Sequence, residues 1–170
     1  MMKNISLIII CLLLGGCFAP SVSKSRFLNA SSKDSFFSNA SNTASSYFVC
    51  GKTYQQNPLF GDREDDWPCT FTVNGQRYEV LDANSISKLE LVPGSYTIIA
   101  GSPFAADDFL ASKEPLTIDL SAGSTTIFVA NNDNKVTFSG QTFRLYTSIH
   151  QNSIPAKYRS RNAVLMRPEN

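Results

Sequence analysis

The chain has 170 residues, with 15 basic and 14 acidic side chains and one histidine. This length suits one domain, and a net charge of +1 gives no field that would attract nucleic acid, which argues against DNA or RNA binding. With 42% apolar and only 17% charged residues, the composition also argues against full disorder and against a helical bundle rich in Glu and Lys.

Residues 1–16 have the features of a cleaved signal peptide. The mostly apolar run 5–14 has ten residues, half of the roughly 20 that a spanning helix needs. It ends in Leu14-Gly15-Gly16-Cys17, which resembles the bacterial lipoprotein signal of Leu, a small residue, Gly and Cys. The resemblance implies cleavage before Cys17, diacylglycerol on its thiol and an acylated (palmitate-type) amine, so that several acyl chains hold the protein on a membrane. In lipoproteins of this kind an Asp after the cysteine commonly retains the protein at the inner membrane, so by the same resemblance Phe18 at that position implies the outer membrane. The alternative is an ordinary secretory signal with a chance cysteine.

Residues 17–46 are predicted to be the lipidated cysteine and a disordered tether. Positions 18–46 hold ten Ser and three Asn without helical or strand periodicity. Such a coil spans about 30 Å on average and about 100 Å when stretched. Two interpretations of Phe36 and Phe37 stay open: they dock on a partner protein, or they pack on the domain or on lipid.

Residues 47–150 predict an all-β domain. Short β-branched and aromatic runs alternate with turn residues, of which Asn74-Gly75 is the strongest hairpin signal. Pro93-Gly94 predicts a type II turn with positive φ at the glycine. We therefore predict an antiparallel β-sandwich of seven or eight strands, without helices except one short helix within 103–112. The predicted strands are 47–50, 69–73, 76–81, 85–91, 96–100, 116–120, 125–130 and 142–147.

Three hairpin motifs in residues 69–130 resemble the PEGA-type and related lipoprotein modules. They are the "v-v-N-G" motif at 71–75, the "l-x-l-x-P-G-x-y-x-i" motif at 89–98 and the "l-x-v-x-a-G-x-t" motif at 116–125. The resemblance implies a transthyretin-like (immunoglobulin-like) sandwich on the cell envelope. These motifs encode turns, so they specify the fold better than the function. The segments 51–68 and 101–114 depart from the pattern.

Two cysteines are left once Cys11 has gone with the signal and Cys17 carries lipid. In an oxidising compartment Cys50 and Cys69 are predicted to form a disulfide. The alternative is a pair of unbridged buried thiols.

Catalytic and metal chemistry has little support in the sequence. The single His150 cannot build a standard zinc site and is predicted to lie on the surface. The acidic runs 62–66 and 107–108 lack the order of a calcium loop and are predicted to be solvated. Trp67 and Tyr54 either contact a partner or a sugar ligand, or cap an open end of the sandwich. No metal, no cofactor and no enzymatic activity are predicted.

Residues 151–170 form a basic tail that either contacts phosphates or an acidic partner, or frays. The sequence thus predicts a lipid-anchored outer-membrane protein, its domain facing the periplasm or the cell surface. Two functions from different classes stay open. The first is a non-enzymatic structural or accessory component of an envelope protein assembly, for example a secretion system. The second is binding of glycan or peptidoglycan.

Overall fold

The computed structural model describes residues 23–29, 33–55, 63–66, 68–101, 115–134, 143–149 and 154–169. Within these residues the chain is mostly β, with ten strands and three helices of one turn. The strands are β1 (Ala44–Gln55), β2 (Arg63–Asp66), β3 (Thr70–Val73), β4 (Gln76–Arg77), β5 (Ser85–Leu91), β6 (Gly94–Gly101), β7 (Leu116–Leu120), β8 (Thr125–Asn134), β9 (Phe143–Ile149) and β10 (Asn162–Leu165). The helices are a 3-10 turn (Lys24–Arg26), α1 (Lys33–Phe36) and α2 (Ala156–Arg159).

The strands form two sheets. Sheet A has the order β10-β5-β1-β8-β9, with β2 also paired to β1, and sheet B has the order β4-β3-β6-β7. Sheet B is antiparallel throughout its described pairs, whereas in sheet A β1 runs parallel to β8 and β10 runs parallel to β5. The prediction of a purely antiparallel fold is therefore wrong for sheet A.

Both faces of sheet A are covered at β1, which is the setting in which parallel strands are normally found. On one face Phe48 of β1 stacks on Phe128 of β8 and meets Phe71 of sheet B edge to face, each at 5.0 Å between ring centroids. On the other face Tyr47 and Val49 lie in a second apolar cluster together with residues of both α-helices. Every residue from Ala44 to Cys50 is consequently buried.

The turn predictions had different outcomes. Asn74 and Gly75 have φ values of 47° and 83° and join β3 to β4, so the Asn-Gly hairpin is confirmed. Gly94 is not among the positive-φ residues, and the strands before and after Pro93 lie in different sheets. The predicted type II turn at Pro93-Gly94 is therefore wrong: the chain crosses from sheet A to sheet B there instead of folding back.

Both α-helices lie outside the predicted domain limits of 47–150. The single helix expected within 103–112 lies outside the described residues. In the part of the chain that the structure describes, no helix has the length and apolar character needed to cross a membrane.

Candidate functional site

The N-terminal segment (residues 23–29 and 33–43) lies against the edge and the outer face of sheet A. Phe27 forms an antiparallel bridge with Val164, and the Leu28 N–H donates to the Ala163 carbonyl at 2.9 Å. These residues were predicted to be a disordered tether, and the structure differs. The reason is that a few side chains of this serine-rich segment, among them Arg26, Phe36 and Phe37, contact particular residues of the domain.

Arg26 is the most buried of these side chains, with 1% of its surface exposed. Its Nε donates to the Leu165 carbonyl at 2.9 Å and its Nη1 donates to the Val80 carbonyl at 2.7 Å. The Glu79 carboxylate lies 3.1 Å from Nε, while Nη2 has no hydrogen-bond partner. Burial lowers the pKa of Arg26, and the charge of Glu79 partly offsets this effect. Arg26 thus joins the N-terminal segment to both the C-terminal strand and the chain that follows β4.

Phe36 and Phe37 pack on the outer face of sheet A. Their ring centroids lie 5.8 and 6.0 Å from that of Tyr47, and the Tyr47 hydroxyl donates to the Phe36 carbonyl at 3.0 Å. Burial is the largest cause that raises the pKa of Tyr47, followed by the nearby charge of Glu90. Of the two interpretations offered for these phenylalanines, the structure displays packing on the domain.

A groove of about 450 Å³ runs between the N-terminal segment, β5 and the edge strand β10. Its walls combine apolar side chains with backbone and amide groups. The lining residues are Leu28, Ser35, Phe36, Ser38, Asn39, Ala40, Lys88, Glu90, Val164 and Leu165. Such a combination of apolar walls and a few fixed polar groups is typical of sites that accept a peptide or an organic ligand.

The polar wall of the groove is organised around Glu90. Its carboxylate accepts hydrogen bonds from Thr43 at 2.5 Å and from Ser45 at 3.0 Å, and it forms an ion pair with Lys88. Burial raises the pKa of Glu90, but the hydrogen bonds from Lys88, Thr43 and Ser45 outweigh burial and leave the pKa lowered. Lys88 also donates to the Ser38 carbonyl and lies 5.4 Å from the Tyr47 ring centroid. The carboxylate therefore holds a negative charge at the mouth of the groove under neutral conditions.

The C-terminal residues 154–169 are part of the fold. Helix α2 covers sheet A with Tyr158, and Pro168 bridges to Tyr78 on the side of sheet B. The cations of α2 rest on aromatic rings: Lys157 lies 4.8 Å from the centroid of Tyr158, and Arg159 lies 5.6 Å from that of Phe37. The fraying interpretation of this tail does not describe these residues.

The disulfide between Cys50 and Cys69 is present, as predicted. It joins β1 of sheet A to the residue before β3 of sheet B, and both cysteines are almost completely buried. Cys69 exchanges two backbone hydrogen bonds with Leu81, at 3.0 and 2.8 Å. The disulfide therefore ties the two sheets together inside their shared core.

Several predicted site residues lie outside the described residues: Cys17, Trp67, His150 and the Asp107-Asp108 pair. Tyr54 lies in β1, where its backbone is in register with Glu64 of β2 and Asp133 of β8. Sequence reasoning missed Lys88 and Glu90 as lining residues of the groove, and it missed Arg26 as the link between the N-terminal segment and the domain. The alternation in 85–91 places Lys88 and Glu90 on the face opposite to Leu89 and Leu91, and no local pattern marks Arg26.

Comparison with known proteins gave no match: no protein-family model, no curated protein and no solved structure is similar to this chain at a significant level. The resemblance to lipoprotein signals and to PEGA-type modules thus stays a prediction.

Proposed function

We propose that the protein is a lipid-anchored lipoprotein of the outer membrane, a non-enzymatic accessory component of an envelope protein assembly. In this proposal the two sheets form a transthyretin- or immunoglobulin-like β-sandwich, with sheet A mixed. The signal-like Leu14-Gly15-Gly16-Cys17 supports export and acylation. The buried Cys50–Cys69 disulfide is typical of proteins that fold in an oxidising compartment.

The groove is the observation that carries the accessory role. It is built by the N-terminal segment itself, so a partner that enters it would sit beside the chain that leads to the anchor. Leu28, Phe36 and Leu165 offer apolar contacts, while the ion pair of Lys88 and Glu90 offers polar ones. We propose a short peptide segment of another envelope protein as the occupant, because apolar pockets beside fixed polar groups suit the side chains and backbone of an extended peptide.

Replacement of Cys17 by serine tests the anchor. We expect the wild-type protein to fractionate with outer membranes and the Cys17→Ser variant to appear in the soluble envelope fraction, because the acyl chains supply the membrane affinity. Metabolic labelling with a palmitate analogue should mark the wild-type chain and leave the variant unlabelled. An unlabelled wild-type chain would contradict acylation.

Filling the groove tests the accessory role. Ala40 is exposed and lines the groove, so Ala40→Arg places a long side chain there without removing a core residue. We expect this variant, when isolated from crosslinked envelopes, to recover about tenfold less of any protein that copurifies in stoichiometric amount with the wild type. A tenfold loss of affinity is the effect expected when one cluster of contacts is removed.

The matched control is Ala156→Arg, which makes the same change on the exposed surface of α2, outside the groove. It should recover the partner as the wild type does. Equal recovery by Ala40→Arg would contradict docking in the groove, and retention of the wild-type protein on cell-wall glycan alone would favour glycan binding instead.

A further inference from the structure

The position of Arg26 limits how far the domain can move from a lipid anchor. This inference rests on the proposed acylation of Cys17. Arg26 is held by three groups of the domain, and its N–H donates to the Ser23 carbonyl at 3.0 Å. Only five residues lie between Cys17 and Ser23, and the six Cα–Cα steps that join them span at most about 20 Å in any conformation. The sequence alone suggested a tether of about 100 Å, five times that reach.

An exposed aromatic side chain lies at the point where this short connection meets the domain. Among the described residues three large hydrophobic side chains are exposed: Phe27 at 39%, Leu165 at 44% and Val92 at 70%. Phe27 bridges to Val164 at the sheet edge, whereas Leu165, the next residue of β10, points to the opposite face and lines the groove. Phe27 is therefore the exposed hydrophobic side chain at the end of the short connection to Cys17.

The same edge carries two exposed cations. Lys24 lies in the 3-10 turn and Arg167 follows β10, where its carbonyl accepts from the Glu79 N–H at 2.8 Å. The charge of Arg167 lowers the pKa of Arg26, in keeping with a position beside it. The nearby Glu79 carboxylate is engaged by Arg26. Apolar side chains flanked by cations are the composition of surfaces that rest at an anionic bilayer interface.

We propose that an anchor-side surface, formed by Lys24, Phe27 and Arg167, lies against the anionic lipid bilayer that holds Cys17. Phe27 reaches the boundary between headgroups and acyl chains, and the two cations lie among the headgroup phosphates. Because the anchor keeps this surface within about 20 Å of the bilayer, its local concentration is high and individually weak contacts suffice.

Tryptophan probes in vesicles test this orientation. The full mature acylated protein, carrying either Phe27→Trp or Val92→Trp, is reconstituted into vesicles of phosphatidylethanolamine and phosphatidylglycerol with brominated acyl chains. The quenching of the wild-type protein, which reports Trp67, is subtracted. We expect the probe at Phe27 to lose more than about half of its emission, as an interfacial side chain does. The probe at Val92, an apolar position that is more exposed than Phe27 and lies in the connection between β5 and β6, should keep most of its emission.

A charge variant separates this surface from the other basic surface of the domain. Lys24→Glu with Arg167→Glu should reduce the quenching of the Phe27→Trp probe, whereas Lys157→Glu with Arg159→Glu on α2 should leave it unchanged. Equal quenching of the two probes, or a loss of quenching only with the α2 pair, would overturn the proposed orientation. Flotation with vesicles is measured in parallel: a wild-type protein that does not float refutes acylation and the orientation with it, while one that floats without quenching refutes the orientation alone.

Discussion

The Arg26→Met variant is expected to lose about 2–4 kcal/mol of unfolding free energy, although methionine preserves much of the side-chain volume. The substitution leaves the Leu165 and Val80 carbonyls without their donors and leaves Glu79 without its cation. The expected loss is below that of a fully buried ion pair, because the Glu79 side chain is 39% exposed and regains water. Urea denaturation followed by circular dichroism measures the loss.

Arg77→Met is the matched control for this prediction. Arg77 also pairs with a glutamate, Glu169, at 2.9 Å, but both side chains are about 40% exposed. We expect this variant to lose at most about 1 kcal/mol, as is usual for a surface ion pair. Equal losses in the two variants would show that the position of Arg26 on the domain contributes no more than an ordinary surface contact.

Loss of the Cys50–Cys69 disulfide is the second large effect. The bridge closes a loop with a sequence separation of 19, for which the chain-entropy relation gives about 3 kcal/mol of stabilisation. The double variant Cys50→Ala, Cys69→Ala should lose this amount and in addition about 1 kcal/mol of packing, because both cysteines lie in the core between the sheets.

Comparing two conditions isolates the covalent contribution. The wild-type protein with dithiothreitol retains both sulfur atoms in the core, so its loss should be smaller than that of the double alanine variant. The midpoint of urea denaturation should shift in the order oxidised, reduced, double variant. A reduced protein as stable as the oxidised one would contradict a stabilising role for the bridge.

Local signals in the sequence predicted local structure well. Asn74-Gly75 determines a hairpin through two positive-φ positions that lie side by side, so no distant residue is needed to recognise it. The disulfide could also be predicted from the sequence, because only two cysteines remain once the predicted signal and lipid site are set aside. The mostly β character followed from strand propensity in the same way.

The features that failed depend on distant partners. Nothing in residues 44–50 shows that β1 has β8 as a parallel neighbour or that its two faces meet different clusters. Pro93-Gly94 has the composition of a tight turn, but tertiary packing sends the flanking strands to different sheets. Arg26 stands in a serine-rich segment, and its acceptors lie 54 and 139 positions away along the chain. The groove could not be predicted because its walls come from three such separate segments.

The order in which the chain emerges determines when the contacts of Arg26 can form. The Leu165 carbonyl and the bridge at Val164 belong to β10, the last strand of the chain. For a chain that enters its compartment N-terminus first, the Leu165 carbonyl therefore arrives long after the Val80 carbonyl, and the contacts of Arg26 are complete only once β10 is present. Under the proposed acylation of Cys17, the N-terminal segment is not yet fixed to the domain until that point. Completion of the final strand would then shorten the connection, so the distance between domain and membrane would report whether folding has finished.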